Sequence, residues 1–229
     1  MIYLDSAATT CQKPPTVARA MTEALSTMGS PGRGGHPLAM RAADTAFRCR
    51  SELAALFNMK EPERVIFTTN ATHGLNIAIK SLVPRGGRVV VSGYEHNAVT
   101  RPLAALGADI SAADAPPFDR ETAVAAFERL IVPGIDAVIC NHVSNVFGCI
   151  QPIEAVAELC RDRGVPLIVD ISQSAGILPL DMERLGAAFI AMPGHKGLYG
   201  PQGTGILLCG GDGLPAALLE GGTGSISLS

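Results

Sequence analysis

The sequence predicts an α/β domain with a mostly parallel central sheet and helices on both faces. Three observations carry this. Apolar runs alternate with amphipathic stretches along the chain, as strands and helices do when they alternate. Several apolar runs are continuous rather than alternating, which fits strands covered on both sides. The 229 residues are 47% hydrophobic and 17% charged, below the roughly 25% charged of an average soluble protein. That balance favours a large buried interior, or a surface partly covered by a partner.

Strands are expected at 65–69, 88–92, 108–112, 137–141, 167–170, 189–192 and 205–209. Helices are expected between them. The longest, 37–58, places Ala42, Ala46, Cys49, Leu53 and Leu56 roughly on one face. A second, 72–82, follows a strand directly, and 98–106, 121–130 and 153–163 complete the set. Pro152 stands just before the last of these and Gly164 just after it, which suits a helix start and a C-terminal cap. Residues 1–15 read as an extended arm outside the sheet, 16–229 as one domain, and 29–35 as a glycine-rich loop. The tail Glu220-Gly221-Gly222-Thr223-Gly224-Ser225 leads to Ser229 without a closing element, so the domain is expected to be incomplete at its C-terminus.

The formal net charge of −3 and the scattered basic residues argue against binding to nucleic acid. Met1-Ile2-Tyr3-Leu4-Asp5 lacks the basic region and apolar stretch of a signal peptide. No run approaches the roughly 18 apolar residues of a membrane span. The six cysteines are far apart and form no Cys-x-x-Cys, so neither a disulfide framework nor a metal site is expected. Reduced thiols in a cytoplasmic protein are the expectation.

The chemistry centres on Lys196, in Met192-Pro193-Gly194-His195-Lys196-Gly197-Leu198-Tyr199-Gly200-Pro201, and on Asp170, at the end of an apolar strand. A lysine on a glycine-flanked turn and an aspartate at a strand end are the pair that pyridoxal 5'-phosphate requires. The amine condenses with the cofactor's aldehyde. The carboxylate holds the pyridine nitrogen protonated. Gly194 and Gly197 are expected to permit unusual backbone angles there.

Other runs supply the remaining parts of such a site. Thr68-Thr69-Asn70-Ala71-Thr72-His73-Gly74 lies between a strand and a helix. Free helix amides, the small Ala71 and the Thr72 hydroxyl suit a phosphate, and an ordinary N-cap by Asn70 or Thr72 is the plainer reading. His96, in Glu95-His96-Asn97 after a strand, can stack on a flat ring or relay protons; it can equally be a polar loop residue. Asn145 and Gln173 can reach the cofactor's phenolic oxygen, and His195 can bind phosphate.

These runs resemble the cysteine desulfurase and selenocysteine lyase group of the class V aminotransferase fold. The resemblance rests on Tyr3-Leu4-Asp5-Ser6-Ala7-Ala8-Thr9-Thr10, Phe67-Thr68-Thr69-Asn70-Ala71-Thr72, Glu95-His96-Asn97, His142-Val143-Ser144-Asn145-Val146-Phe147-Gly148, Asp170-Ile171-Ser172-Gln173-Ser174-Ala175-Gly176 and Gly194-His195-Lys196. It covers essentially the whole chain and implies a large domain of fold type I. It implies that Lys196 carries the cofactor and moves the α-proton, that Asp170 pairs with the pyridinium, and that His96 stacks on the ring and serves catalysis. Asn145 and Gln173 are implied at the phenolic oxygen. Ala71, Thr72 and His195 are implied at the phosphate, with Thr223 reaching the phosphate of a second copy in a homodimer. L-Cysteine, a related amino acid and a sulfur-acceptor protein are the implied partners.

Two departures stand out. Pro193 occupies a place where many members have a phosphate-binding serine. Members also continue into a small C-terminal domain with a substrate-carboxylate arginine and a catalytic cysteine, and none of the six cysteines here matches that nucleophile. The expectation is therefore a truncated cysteine desulfurase. A selenocysteine lyase or another class V lyase or transaminase is the alternative among enzymes, and a non-catalytic fragment or pseudoenzyme is the alternative outside them.

Overall fold

The computed structural model describes residues 2–32, 34–211 and 215–221. Seven strands form one sheet: β1 (Val65–Thr68), β2 (Arg88–Ser92), β3 (Asp109–Ala113), β4 (Ala137–Asn141), β5 (Leu167–Asp170), β6 (Phe189–Pro193) and β7 (Gly205–Cys209). Their spatial order is β1-β7-β6-β5-β4-β2-β3. β7 runs antiparallel to both neighbours, while the β2, β3, β4, β5 and β6 pairings are parallel. The expected strands all form, with ends shifted by at most one residue.

Continuous apolar strands suit this sheet because both of its faces are covered. Alternate residues enter two separate cores. Val90, Val138, Cys140, Leu167, Val169, Ile190, Met192 and Leu208 pack on one face. Val89, Val91, Ile139, Ile168, Ala191 and Leu207 pack on the other. The first face is covered by α2 (Pro37–Leu56), α5 (Arg120–Leu130), α6 (Ile153–Arg163) and the short α7 (Met182–Leu185). The second is covered by α3 (Ala71–Leu82) and α4 (Asn97–Leu106), which contribute Leu75, Ile79, Val99 and Leu103. Gly164 caps α6 in the left-handed conformation, at φ 64°.

α1 (Pro15–Thr27) was not expected from the sequence. It starts with proline in its first turn and carries Val17, Met21 and Leu25 four residues apart, yet it buries no residue. An ion pair between Arg41 of α2 and Glu23 ties it down. Among the described residues, no helix is long and apolar enough to cross a membrane.

Candidate active site

The parallel strands end at one edge of the sheet, where ligands bind in open α/β folds. Register places Asn141 beside Asp170, and Asp170 beside Ala191. β6 then runs into the turn that carries Lys196. That turn is closed by Gly194 N donating to Thr204 O at 2.9 Å, Gly200 N to Gly194 O at 2.7 Å and Tyr199 N to Lys196 O at 2.9 Å. Gly194 and Gly197 do not have the unusual angles expected of them. Tyr199 takes the positive φ, at 58°. The glycines are needed for close packing: a Cβ on Gly197 would lie 2.2 Å from Ala175 O, and one on Gly194 would lie 2.3 Å from Thr204 Oγ1.

Asp170 is only 5% exposed. Its Oδ1 accepts from Ser172 N at 2.8 Å and from the Ser172 hydroxyl. Burial raises its pKa. The Ser172 bonds oppose that rise, followed by the charges of His96 and Lys196. Lys196 is half-buried, and burial lowers its pKa against the opposing pull of Asp170. An amine that loses its proton readily is a better nucleophile and base at neutral pH.

α3 begins at Ala71, capped by Asn70, whose Oδ1 accepts from His73 N at 2.8 Å. The plainer N-cap reading thus holds for Asn70. It leaves the first two helix amides, those of Ala71 and Thr72, without intrahelical partners. Gly205 lets β7 lie against this turn, since a Cβ there would meet Asn70 C at 2.5 Å. His96 caps α4, its Nδ1 accepting from Ala98 N at 3.1 Å, which fixes the ring and leaves Nε2 free of that duty.

The arm forms a wall of the site, a role its sequence did not announce. The His195 carbonyl accepts from Thr9 Oγ1 at 3.1 Å, Thr10 Oγ1 at 3.0 Å, Thr10 N at 3.3 Å and Lys13 Nζ at 3.1 Å. The His195 ring bonds Thr9 Oγ1 through Nδ1 at 2.9 Å, and Gln173 Nε2 donates to Ala7 O at 3.0 Å. Burial lowers the His195 pKa, and the Lys196 and Lys13 charges add to that effect.

Together these elements enclose a cavity of about 350 Å³, inside the roughly 300–1,000 Å³ range of small-ligand sites. Ala71, Thr72, His96, Asn145, Asp170, Gln173, His195 and Lys196 all line it, with Ala7 and Ala8 of the arm. Thr223 lies outside the described residues. No cysteine lines the cavity among the described residues: Cys11 and Cys49 are exposed, and Cys140, Cys149, Cys160 and Cys209 are buried. A larger cavity of about 590 Å³ lies by α6 and α7, but its Asp181 is engaged with Asn58 and with the start of α7.

The donor set suits pyridoxal phosphate. A buried carboxyl whose charge is suppressed by burial would recover it against a ring cation. A depressed lysine lies within reach of that carboxyl's field, and free helix amides stand on the same wall.

Residues 2–228 match the family described as aminotransferase class-V, and the chain belongs to that family. Its relatives narrow the comparison. It is 34% identical to the probable cysteine desulfurase of Methanothermobacter thermautotrophicus, over 97% of this chain and 57% of that protein. It is 34% identical to the cysteine desulfurase IscS of Serratia proteamaculans, over 90% of this chain and 52% of that protein. The apo structure of the cysteine desulfurase from Thermococcus onnurineus NA1 superposes with a TM-score of 0.84 at 30% identity, covering 91% of this chain and 53% of that one. The chain spans about half the length of the curated relatives it matches.

Proposed function

We propose that this chain is the cofactor-binding part of a pyridoxal phosphate-dependent enzyme of the cysteine desulfurase type, acting on L-cysteine. The observation that carries the reading is the meeting of Lys196 and Asp170 in one cavity whose wall includes the start of α3. When bound, pyridoxal phosphate supplies an aldehyde that joins amines and a ring that accepts electrons from the substrate's α-carbon. Lys196 Nζ would hold the aldehyde and would be the base for the proton on the substrate's α-carbon. Asp170 would pair with the pyridine nitrogen and keep it protonated. The Ala71 and Thr72 amides, the Thr72 hydroxyl and His195 would hold the phosphate, His96 would cover the ring, and Asn145 and Gln173 would serve its oxygen.

The overall change converts L-cysteine and a thiol into L-alanine and a persulfide. All six cysteines are described and none lines the cavity, so the accepting thiol is assigned to an acceptor protein. A second copy is proposed to cover the exposed apolar side chains of the arm, α1 and α2, among them Leu4, Leu25 and Phe47. Thr223 is assigned to that copy's phosphate. Six free cysteines, four of them buried, suit a reducing compartment such as the cytoplasm.

The test is exchange of the cysteine α-proton with deuterium oxide, followed by proton NMR after pyridoxal phosphate is added. The wild-type chain is expected to exchange it, and Lys196→Ala to abolish the exchange. Equal exchange by both proteins would overturn the reading.

A further inference from the structure

Among the described residues, two buried side-chain polar atoms lack a hydrogen-bond partner, Arg50 Nε and Glu95 Oε2. The second adjoins the candidate active site. Glu95 hangs from the turn between β2 and α4, one residue before His96. Its other oxygen, Oε1, accepts from the Ser92 hydroxyl and, at 2.7 Å, from Asn141 N. Asn141 Nδ2 donates to Tyr94 O at 2.7 Å, and Tyr94 N donates to Ser92 Oγ at 3.2 Å. These bonds close a ring that joins the end of β2, the end of β4 and the turn that holds His96.

We propose that Glu95 is a positioning residue that works as an uncharged acid, clamping the His96 turn to the sheet and leaving Asp170 the anion of the cavity. Oε1 is already served by two donors, so the acid proton belongs on Oε2. A charge spread onto Oε2 would meet neither a donor nor water, which costs far more than an unpaired hydroxyl. The surroundings agree. Burial, joined by the smaller push of Asp170 on β5, outweighs the Ser92 and Asn141 bonds and brings the Glu95 pKa up to about 8. The Cys140 thiol of β4 is the other titratable group in its field, and it is itself pushed up by burial and by Glu95. His96 and Lys196 act on Asp170, whose two Ser172 bonds also favour its charged form. Burial raises both acids, but only Asp170 has cationic neighbours and lines the cavity, where a bound ring cation would restore its charge.

The effect on cofactor binding rests on the function proposed above; the protonation state of Glu95 does not. Two variants separate them. Glu95→Gln keeps the accepting oxygen and stays neutral at every pH, whereas Glu95→Ala removes the clamp. The first readout needs no cofactor. An acid that keeps its proton when folded and loses it when unfolded makes stability fall as pH rises from about 4.5 to about 8, then level off. Glu95→Gln is expected to flatten that fall in the unfolding midpoint, and Glu95→Ala to shift the His96 ring signals in NMR where Glu95→Gln leaves them in place. The second readout is pyridoxal phosphate affinity. At about pH 7, Glu95→Gln should match the wild type and Glu95→Ala should bind about tenfold more weakly, the scale of one lost buried hydrogen bond. Above about pH 8 the wild type should weaken and Glu95→Gln should not. Equal weakening by both variants at neutral pH would overturn the proposal, because charge would then be required. So would an unmoved His96 signal in Glu95→Ala, or an unchanged midpoint profile in Glu95→Gln. Failure of all three proteins to bind pyridoxal phosphate would count against the cofactor, while the midpoint and His96 signals would still decide the role of Glu95.

Discussion

Every residue of β4, β5, β6 and β7 is buried, whereas α1 buries none, and the candidate active site lies between these extremes. Its floor is the strand ends, where Asp170 and the Lys196 turn inherit the rigidity of two packed cores. Its wall is the arm, held by polar contacts to the His195 carbonyl, the His195 ring and Gln173. Such contacts are each worth about 1 kcal/mol net, while a packed apolar face is worth several times that. The floor therefore carries the fixed charges on packed strands, and the wall is held by polar bonds that single substitutions can remove one at a time.

Substitutions can break this contrast at either side. Leu75→Ala, at a fully buried position of α3, is expected to cost about 2–5 kcal/mol in denaturant unfolding. Thr10→Val removes the hydroxyl that bonds His195 O and Lys196 O. It is expected to cost about 1 kcal/mol and to speed amide hydrogen exchange in the arm while leaving β5 and β6 protected. Leu25→Ser alters a side chain that is 88% exposed. It should change monomer stability by no more than about 0.5 kcal/mol, yet lower the dimer fraction in sedimentation if a second copy covers α1. A loss at Leu25 as large as that at Leu75 would erase the distinction.

The same contrast explains what was legible in the sequence. The strands were readable because burial on both faces leaves a continuous apolar run, as in Ala137–Asn141 and Leu167–Asp170. Asp170 and Lys196 stood out only as a pair, within runs that resemble one family, since a strand-end aspartate or a surface lysine alone is common. The contacts of Thr9, Thr10 and Lys13 were not, since they join residues more than 180 positions apart and leave no local pattern. Helix α1 had its stripe of Val17, Met21 and Leu25 but no core to explain it. Glu95 was visible only as the neighbour of His96, because its significance lies in Ser92 and Asn141, which only the fold brings to it. The glycines at 194 and 197 were recognised as necessary for the wrong reason, since close packing rather than backbone angle requires them.

The most direct test of the central claim uses the small number of lysines, Lys13, Lys60, Lys80 and Lys196. Pyridoxal phosphate is added, the adduct is reduced with borohydride, and the labelled peptide is identified by mass spectrometry. The account predicts the label on Lys196, with the wall residue Lys13 as an internal control for mere proximity. A label confined to Lys13, Lys60 or Lys80 would contradict it.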